Sequence, residues 1–253
     1  MKKTPSHSKK PLPRTSSGPM RLNKYVAHCG ICSRRQAADL VKSGKIKVND
    51  QVELNPSYEV QSKDKIAYLD KYIKPEENKV YILINKPKDT ITTLKDERDR
   101  NTVAQILEGK IEERVYPVGR LDRNTTGLLV MTNDGDLSQK LAHPSHKVKK
   151  IYHASLDKNL TAADFQKITK GVLLDDGVAL VDSIDFVDGK KDEVGIEIHI
   201  GKNRIVRRIF EHLGYEVQKL DRVYYAGLTK KNLPRGKFRH LTTQEVIMLK
   251  HFI

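Results

Sequence analysis

The sequence predicts an α+β protein: a small module of two helices and a hairpin, then a larger domain in which helices flank a mixed, mainly antiparallel sheet. Three observations predict it. Apolar residues recur at helical spacing near the start, with Leu22, Tyr25, Val26 and Cys29 at i, i+3, i+4, i+7. Helical and extended stretches then interleave through the rest of the chain without an internal repeat. Stretches such as 194–200 alternate in polarity, placing Ile196, Ile198 and Ile200 on one face, as a sheet with unlike faces requires. With 253 residues, 38% of them hydrophobic, the chain can bury one large core, or one large and one small.

Residues 1–19 carry Lys2, Lys3, Lys9, Lys10 and Arg14, no acidic residue and almost nothing apolar, which predicts a disordered basic tail. Its use is either electrostatic tethering or plain solubility. The small module is expected over 20–68. Its first helix ends at Gly30; the second starts at a capping-box pair, Ser33 and Gln36, uses Ala37, Leu40 and Val41 as its apolar face, and ends at Gly44. Ile46, Val48, Val52 and Leu54 flank Asn49-Asp50 and predict a hairpin. The polar stretch 69–79, with Lys74-Pro75 and Glu76-Glu77, is expected to be a linker. The larger domain, 80–253, is expected to hold strands at 80–84, 128–132, 151–156, 178–187 and 194–200, and helices near 136–142, 162–170, 203–213 and 243–252.

Lys and Arg number 47 against 32 Asp and Glu, a formal charge of +15, so the expected partner is a polyanion, with nucleic acid first. A charge that serves only solubility is the bland alternative. No apolar run reaches the roughly 18 to 20 residues of a membrane span, and the N-terminus lacks the apolar core of a secretory signal, so the expected location is the cytoplasm, away from membranes. Two cysteines make no disulfide framework and fit a reducing compartment. Phosphate-loop, dinucleotide-turn and H-E-x-x-H patterns are missing. Cys29 and Cys32 have C-x-x-C spacing, but a structural zinc site needs about four ligands and there is no second pair, so they are expected to pack as ordinary thiols with no metal.

The segment RLNKYVAHCGICSRRQAADLVKSGKIKVNDQ resembles the S4 RNA-binding domain, over about 21–68. The resemblance implies a helix pair whose basic residues face structured RNA, which makes Lys24, Arg34, Arg35 and Lys45 the RNA-binding candidates. S4 domains serve many RNA-acting proteins, so this module names a ligand class and no chemistry.

The chemically informative stretch is 116–130, a polar loop between a short extended piece and an apolar strand. There Asp122 is a candidate nucleophile or base, with Arg120 and Arg123 near enough in sequence to attract a phosphate. Taken alone, an acidic residue in an Arg-flanked loop is more often a surface ion pair. However, PVGRLDRNTTGLLVMTNDGDLSQKLAHP closely resembles the signature of ribosomal RNA pseudouridine synthases of the RsuA/RluB type. The resemblance continues through NKPKDTITT, KKIYHASL, GKNRIVRRIF and LPRGKFRHLT. It implies that Asp122 lies against the target ribose, that Tyr152 stacks on the target base and helps remove the carbon-5 proton, and that Arg207 pairs with the aspartate. It also implies that Leu220 closes the pocket and that Lys86 and Arg120 contact RNA.

The implied reaction detaches uracil from ribose and rejoins it through carbon 5. Atoms are conserved, so no cofactor is expected. The aspartate either attacks the anomeric carbon or removes a neighbouring ribose proton, and the sequence leaves both routes open. Helical geometry agrees with the choice of arginine. Over 203–213 the core face is Val206, Ile209, Phe210 and Leu213, the solvated face holds Arg204, Arg208 and Glu211, and Arg207 falls on the border. Two positions depart from the family pattern: Asp89 stands where glycine is frequent, and Ile205 where glutamine is frequent. The expected function is isomerisation of a specific uridine in ribosomal RNA, 23S-type ahead of 16S-type, by a monomer acting on free RNA or on an assembling ribosomal subunit. The rival reading is a noncatalytic RNA-binding or ribosome-assembly factor on the same scaffold.

Overall fold

A computed structural model describes residues 19–251; the tail expected over 1–19 lies outside the described residues except for Pro19, as does Phe252. The chain divides between Glu77 and Asn78 into two compact units.

In the first unit, helices Leu22–His28 and Arg34–Lys42 pack Leu22, Val26, Ala37 and Val41 against Ile46, Val48 and Ile66. The second helix starts where the sequence placed it. The Gln36 amide donates to Ser33 Oγ at 3.3 Å and the Ser33 amide to Gln36 Oε1 at 3.0 Å, so two otherwise orphaned amides are satisfied reciprocally. Strands Ile46–Val48 and Gln51–Val52 form the expected hairpin, with Asn49 and Asp50 at φ 50° and 66°, the pair of left-handed residues a tight two-residue turn requires. The segment expected as a linker departs from that reading: Lys71–Tyr72 is a strand paired with Ile66–Tyr68. Leu69 and Asp70, at φ 48° and 62°, make a second tight reversal, which the polar composition of the segment disguises.

The second unit is built on one sheet. In spatial order its strands are Ser183–Val187, Lys190–Ile198, Lys150–Leu156, Val217–Tyr225, Thr125–Thr132, Tyr81–Lys86 and Phe238–His240. Leu228–Thr229 pairs beside Val217–Tyr225, and Tyr116–Pro117 beside Thr125–Thr132. Pairing is antiparallel except at the centre, where Thr125–Gly127 runs parallel to Leu220–Arg222. Helix Ile205–His212 buries Ile209 and Phe210 against Ile196, Val217 and Leu220. Side chains of that size contribute about 1.5–3 kcal/mol each when fully buried, enough to fix the helix beside the central crossing. The expected strand at 178–187 is divided: Gly177–Ala179 pairs in a separate hairpin with Val172–Leu174, and only Ser183–Val187 joins the sheet.

Candidate active site

The loop that carries Asp122 is held from three directions. Its far end enters the parallel crossing, with the Thr125 amide donating to the Asp122 carbonyl at 3.1 Å. Its near end is tied to Thr92, whose hydroxyl donates to the Leu121 carbonyl at 2.8 Å and accepts from the Leu121 amide at 3.2 Å. From beneath, Lys86 Nζ donates to the carbonyls of Thr90 at 2.6 Å, Pro87 at 3.0 Å and Arg123 at 3.2 Å. The three donors of one ammonium thus match three backbone acceptors on two loops. Asp122 itself is half-buried, and no side chain among the described residues engages its carboxylate.

Asp122 borders two hollows. The larger, about 290 Å³, is lined by Arg120, Leu121 and Asp122 on one side and by Lys150, Tyr152, Leu220, Arg222 and Tyr225 on the sheet wall. Residues 200–206, at the entry of helix Ile205–His212, complete it. Strand pairing explains the wall. Tyr152 lies directly opposite Arg222 across two antiparallel strands; Lys150 lies two positions from Tyr152 on its strand and Leu220 two positions from Arg222 on the other, on the same face. The smaller hollow, about 280 Å³, joins Asp122 to Arg207, Arg204, Glu211 and Glu216.

Of the expected residues, Asp122, Tyr152, Leu220 and Arg120 meet around the larger hollow. Arg207 borders the smaller one and is 8% exposed, so the border position read from the helix becomes a buried one. Its Nη1 donates to the Val217 carbonyl at 2.6 Å, and its Nε is buried without a hydrogen-bond partner. The Asp122–Arg207 ion pair implied by the resemblance is not formed among the described residues. The aspartate acts on the guanidinium only through its field: burial and the charge of Arg204 push the Arg207 pKa down, and Asp122 opposes them.

Lys86 requires a correction. Expected to contact RNA, it is 0% exposed, and its ammonium is spent on loop carbonyls. Burial brings it down to about 8, partly countered by Asp122. It is a support under the Asp122 loop, not a surface cation. Three residues of the wall were missed by sequence reading, Lys150, Arg222 and Tyr225. Lys150 stands two places before Tyr152 and was legible by alternation; Arg222 lies on a strand that charged residues concealed.

The departures also find physical settings. Asp89 has φ 61°, the left-handed region that favours glycine, and its carboxylate accepts from Arg123 Nε at 2.5 Å in an exposed pair. Ile205 is buried on the cleft side of its helix. In the first unit, Arg34, Arg35 and Lys45 are exposed and Lys24 is half-buried. Burial pushes the Cys29 thiol up to about 12, and its Sγ donates to the Tyr25 carbonyl at 3.2 Å, the behaviour of a packed thiol, not of a thiolate ligand. No helix among the described residues is long and apolar enough to cross a membrane.

Comparison with known proteins bears on both units. A family model described as RNA pseudouridylate synthase matches residues 80–212, and an S4 domain model matches residues 20–66. Ribosomal large subunit pseudouridine synthase B of Bacillus subtilis (strain 168) is 38% identical over 234 residues, 91% of this chain and 95% of that protein. An uncharacterized RNA pseudouridine synthase of Aquifex aeolicus (strain VF5) is 36% identical over 234 residues, 91% of this chain and 93% of its own length. Among solved structures, a crystal structure of a pseudouridylate synthase superposes with a TM-score of 0.66 at 26% identity, covering 91% of this chain and 99% of the other.

Proposed function

The chain belongs to the RNA pseudouridylate synthase family and carries an S4 domain, and from that premise we propose that it isomerises a specific uridine of large-subunit ribosomal RNA to pseudouridine. The observation that carries the reading is the larger hollow, where an unengaged carboxylate, Asp122, faces a wall bearing an aromatic ring, Tyr152, and an apolar residue, Leu220. The large-subunit assignment draws on the name of the Bacillus relative.

In this reading a uridine turned out of its RNA stem enters the hollow, and Tyr152 replaces part of the stacking it loses. Asp122 lies against the ribose and supplies the negative charge that the breaking carbon–nitrogen bond requires, either by bonding to the anomeric carbon or by taking a neighbouring ribose proton. Arg207 supports it through its field. The proposed enzyme acts as a monomer in the cytoplasm, where ribosomal RNA is made and assembled. The test is tritium release from transcripts labelled at carbon 5 of uridine. Release from large-subunit RNA and not from small-subunit RNA is expected; release from neither, with free RNA and assembling subunits both tried, would end the reading.

The S4 unit is proposed to grip RNA near the target through Lys24, Arg34, Arg35 and Lys45. Replacing Arg34 and Arg35 together by alanine is expected to weaken binding and reduce the slope of log affinity against log salt by about two, with the rate at saturating RNA unchanged. Filter binding between low and moderate salt checks it, and an unaltered slope would remove both residues from the interface.

Lys86→Met separates the corrected role from the expected one. Relief of a buried charge opposes the loss of donors to three carbonyls, so stability changes little. The Asp122 loop loses its tie to the strand Tyr81–Lys86, and turnover is expected to fall about tenfold to a hundredfold, with RNA affinity unchanged. A loss confined to affinity would return Lys86 to the RNA interface.

A further inference from the structure

The wall of the larger hollow contains two cations, a buried Arg222 and a half-buried Lys150, that the chemistry so far described does not use. Arg222 is 3% exposed, its Nε donates to the Leu128 carbonyl at 2.8 Å, its guanidinium lies 4.5 Å from the centre of the Tyr225 ring, and its Nη2 has no hydrogen-bond partner. Lys150 donates to the carbonyls of Val148 at 3.0 Å and His199 at 2.8 Å, which leaves one of its three donors uncommitted. No salt bridge engages either residue among the described residues. Burial and the charge of Arg222 bring Lys150 down to about 8. Two like charges on one enclosed wall, each with donors to spare, describe a place for an electron-rich acceptor.

Resting on the proposed reaction, we propose that Arg222, with Lys150 beside it, receives the carbonyl edge of the target uracil and takes up the charge that develops there. The placement favours a base over a phosphate. These cations sit on the sheet wall among Tyr152, Leu220 and Tyr225, whereas the exposed Arg120 and Arg204 stand where a hydrated phosphate can approach. When the bond from nitrogen 1 to the ribose breaks, uracil leaves with the bonding electron pair, and its charge spreads onto the two carbonyl oxygens. Fixed donors at those oxygens bind this state more strongly than the intact nucleoside. The bond from carbon 5 to the same ribose carbon then forms, carbon 5 loses its proton and nitrogen 1 gains one, so the balance closes. Cation donors also select uracil over cytosine, which presents an amino donor where uracil presents a carbonyl.

The test compares the natural protein with Arg222→Gln, measuring single-turnover tritium release from the large-subunit transcript and filter binding of that transcript across salt. The expected result is about a hundredfold slower release at saturating RNA, with affinity within about threefold and the salt slope unchanged. Release within about threefold of natural overturns the proposal, as does a loss carried by affinity with a slope reduced by about one, which would identify a phosphate contact. Should Arg222→Gln lose its cooperative urea transition, Lys150→Gln repeats the comparison from the less buried cation and is judged by the same outcomes. Absence of release by the natural protein would strike the proposed function itself, and is distinguishable because it does not involve either variant.

Discussion

Asp122→Asn is expected to lower tritium release from large-subunit RNA by about a thousandfold or more while leaving RNA affinity within about threefold. The amide keeps the shape and polarity of the carboxylate but can neither bond to the anomeric carbon as an anion nor accept a ribose proton. No side chain among the described residues is bound to the Asp122 carboxylate, so the substitution strands no hydrogen-bond partner, and the loop keeps its ties to Thr92, Lys86 and Thr125. The fold should therefore survive, and the urea midpoint should stay near that of the natural protein. One electrostatic consequence follows: Asp122 holds up the pKa values of Lys86 and Arg207 against burial, so both fall further in the variant. Turnover by Asp122→Asn within about tenfold of natural would remove the residue from its role. Deuterium at the 2′ carbon of the target ribose then separates the two routes, since a primary isotope effect belongs to proton removal and not to attack at the anomeric carbon.

How far the site was legible depended on whether its signals were local. The capping pair Ser33–Gln36, the Asn49–Asp50 turn and the periodicity over 203–213 involve neighbours within one turn of chain, and the structure reproduces the first two and forms the third as a helix over Ile205–His212. Val217–Tyr225, the strand at the centre of the sheet, went unread because Lys219, Asp221 and Arg222 interrupt its apolar pattern. The charge of Asp221 is satisfied by distant residues. Asp221 accepts from Arg235 at 3.0 Å on each oxygen and from Thr126 at 2.9 Å, and also pairs with Lys230. Burial alone would push the Asp221 carboxyl up, but the bonds from Arg235 and Lys230 outweigh it and hold it at about 2. Lys86 was misread for the same reason: lysine ordinarily keeps its head in water, and nothing in NKPKDT announces three carbonyls arranged around it. The ion pair expected for Arg207 came from resemblance, whereas the observed partner, the Val217 carbonyl, is set by where the helix packs.

Gly127→Ala is expected to destabilise the second unit by about 3 kcal/mol or more, an effect out of proportion to one methyl group. Gly127 sits at φ 106°, a conformation that L side chains rarely adopt, at the place where the Asp122 loop becomes a strand and runs parallel to Leu220–Arg222. A methyl group there would meet the Arg222 carbonyl and lie 2.6 Å from the Arg222 nitrogen and 2.6 Å from Asp221 Oδ1. Two of those three atoms are backbone, and the third belongs to a carboxylate fixed by Arg235, Lys230 and Thr126. The first two cannot give way without separating the central strands, nor the third without breaking its ion pairs. Gly119→Ala supplies the control from the same loop. Its φ is 72°, but an added methyl would meet nothing within 4 Å, so only the backbone strain remains, about 1 kcal/mol. Urea denaturation of the two variants measures the difference. Equal midpoints would mean that the crossing relaxes more readily than its packing implies. A large gap would show that one close approach fixes the distance between Asp122 and the wall of Tyr152 and Arg222, since both sides of the hollow hang from the strands that meet at Gly127.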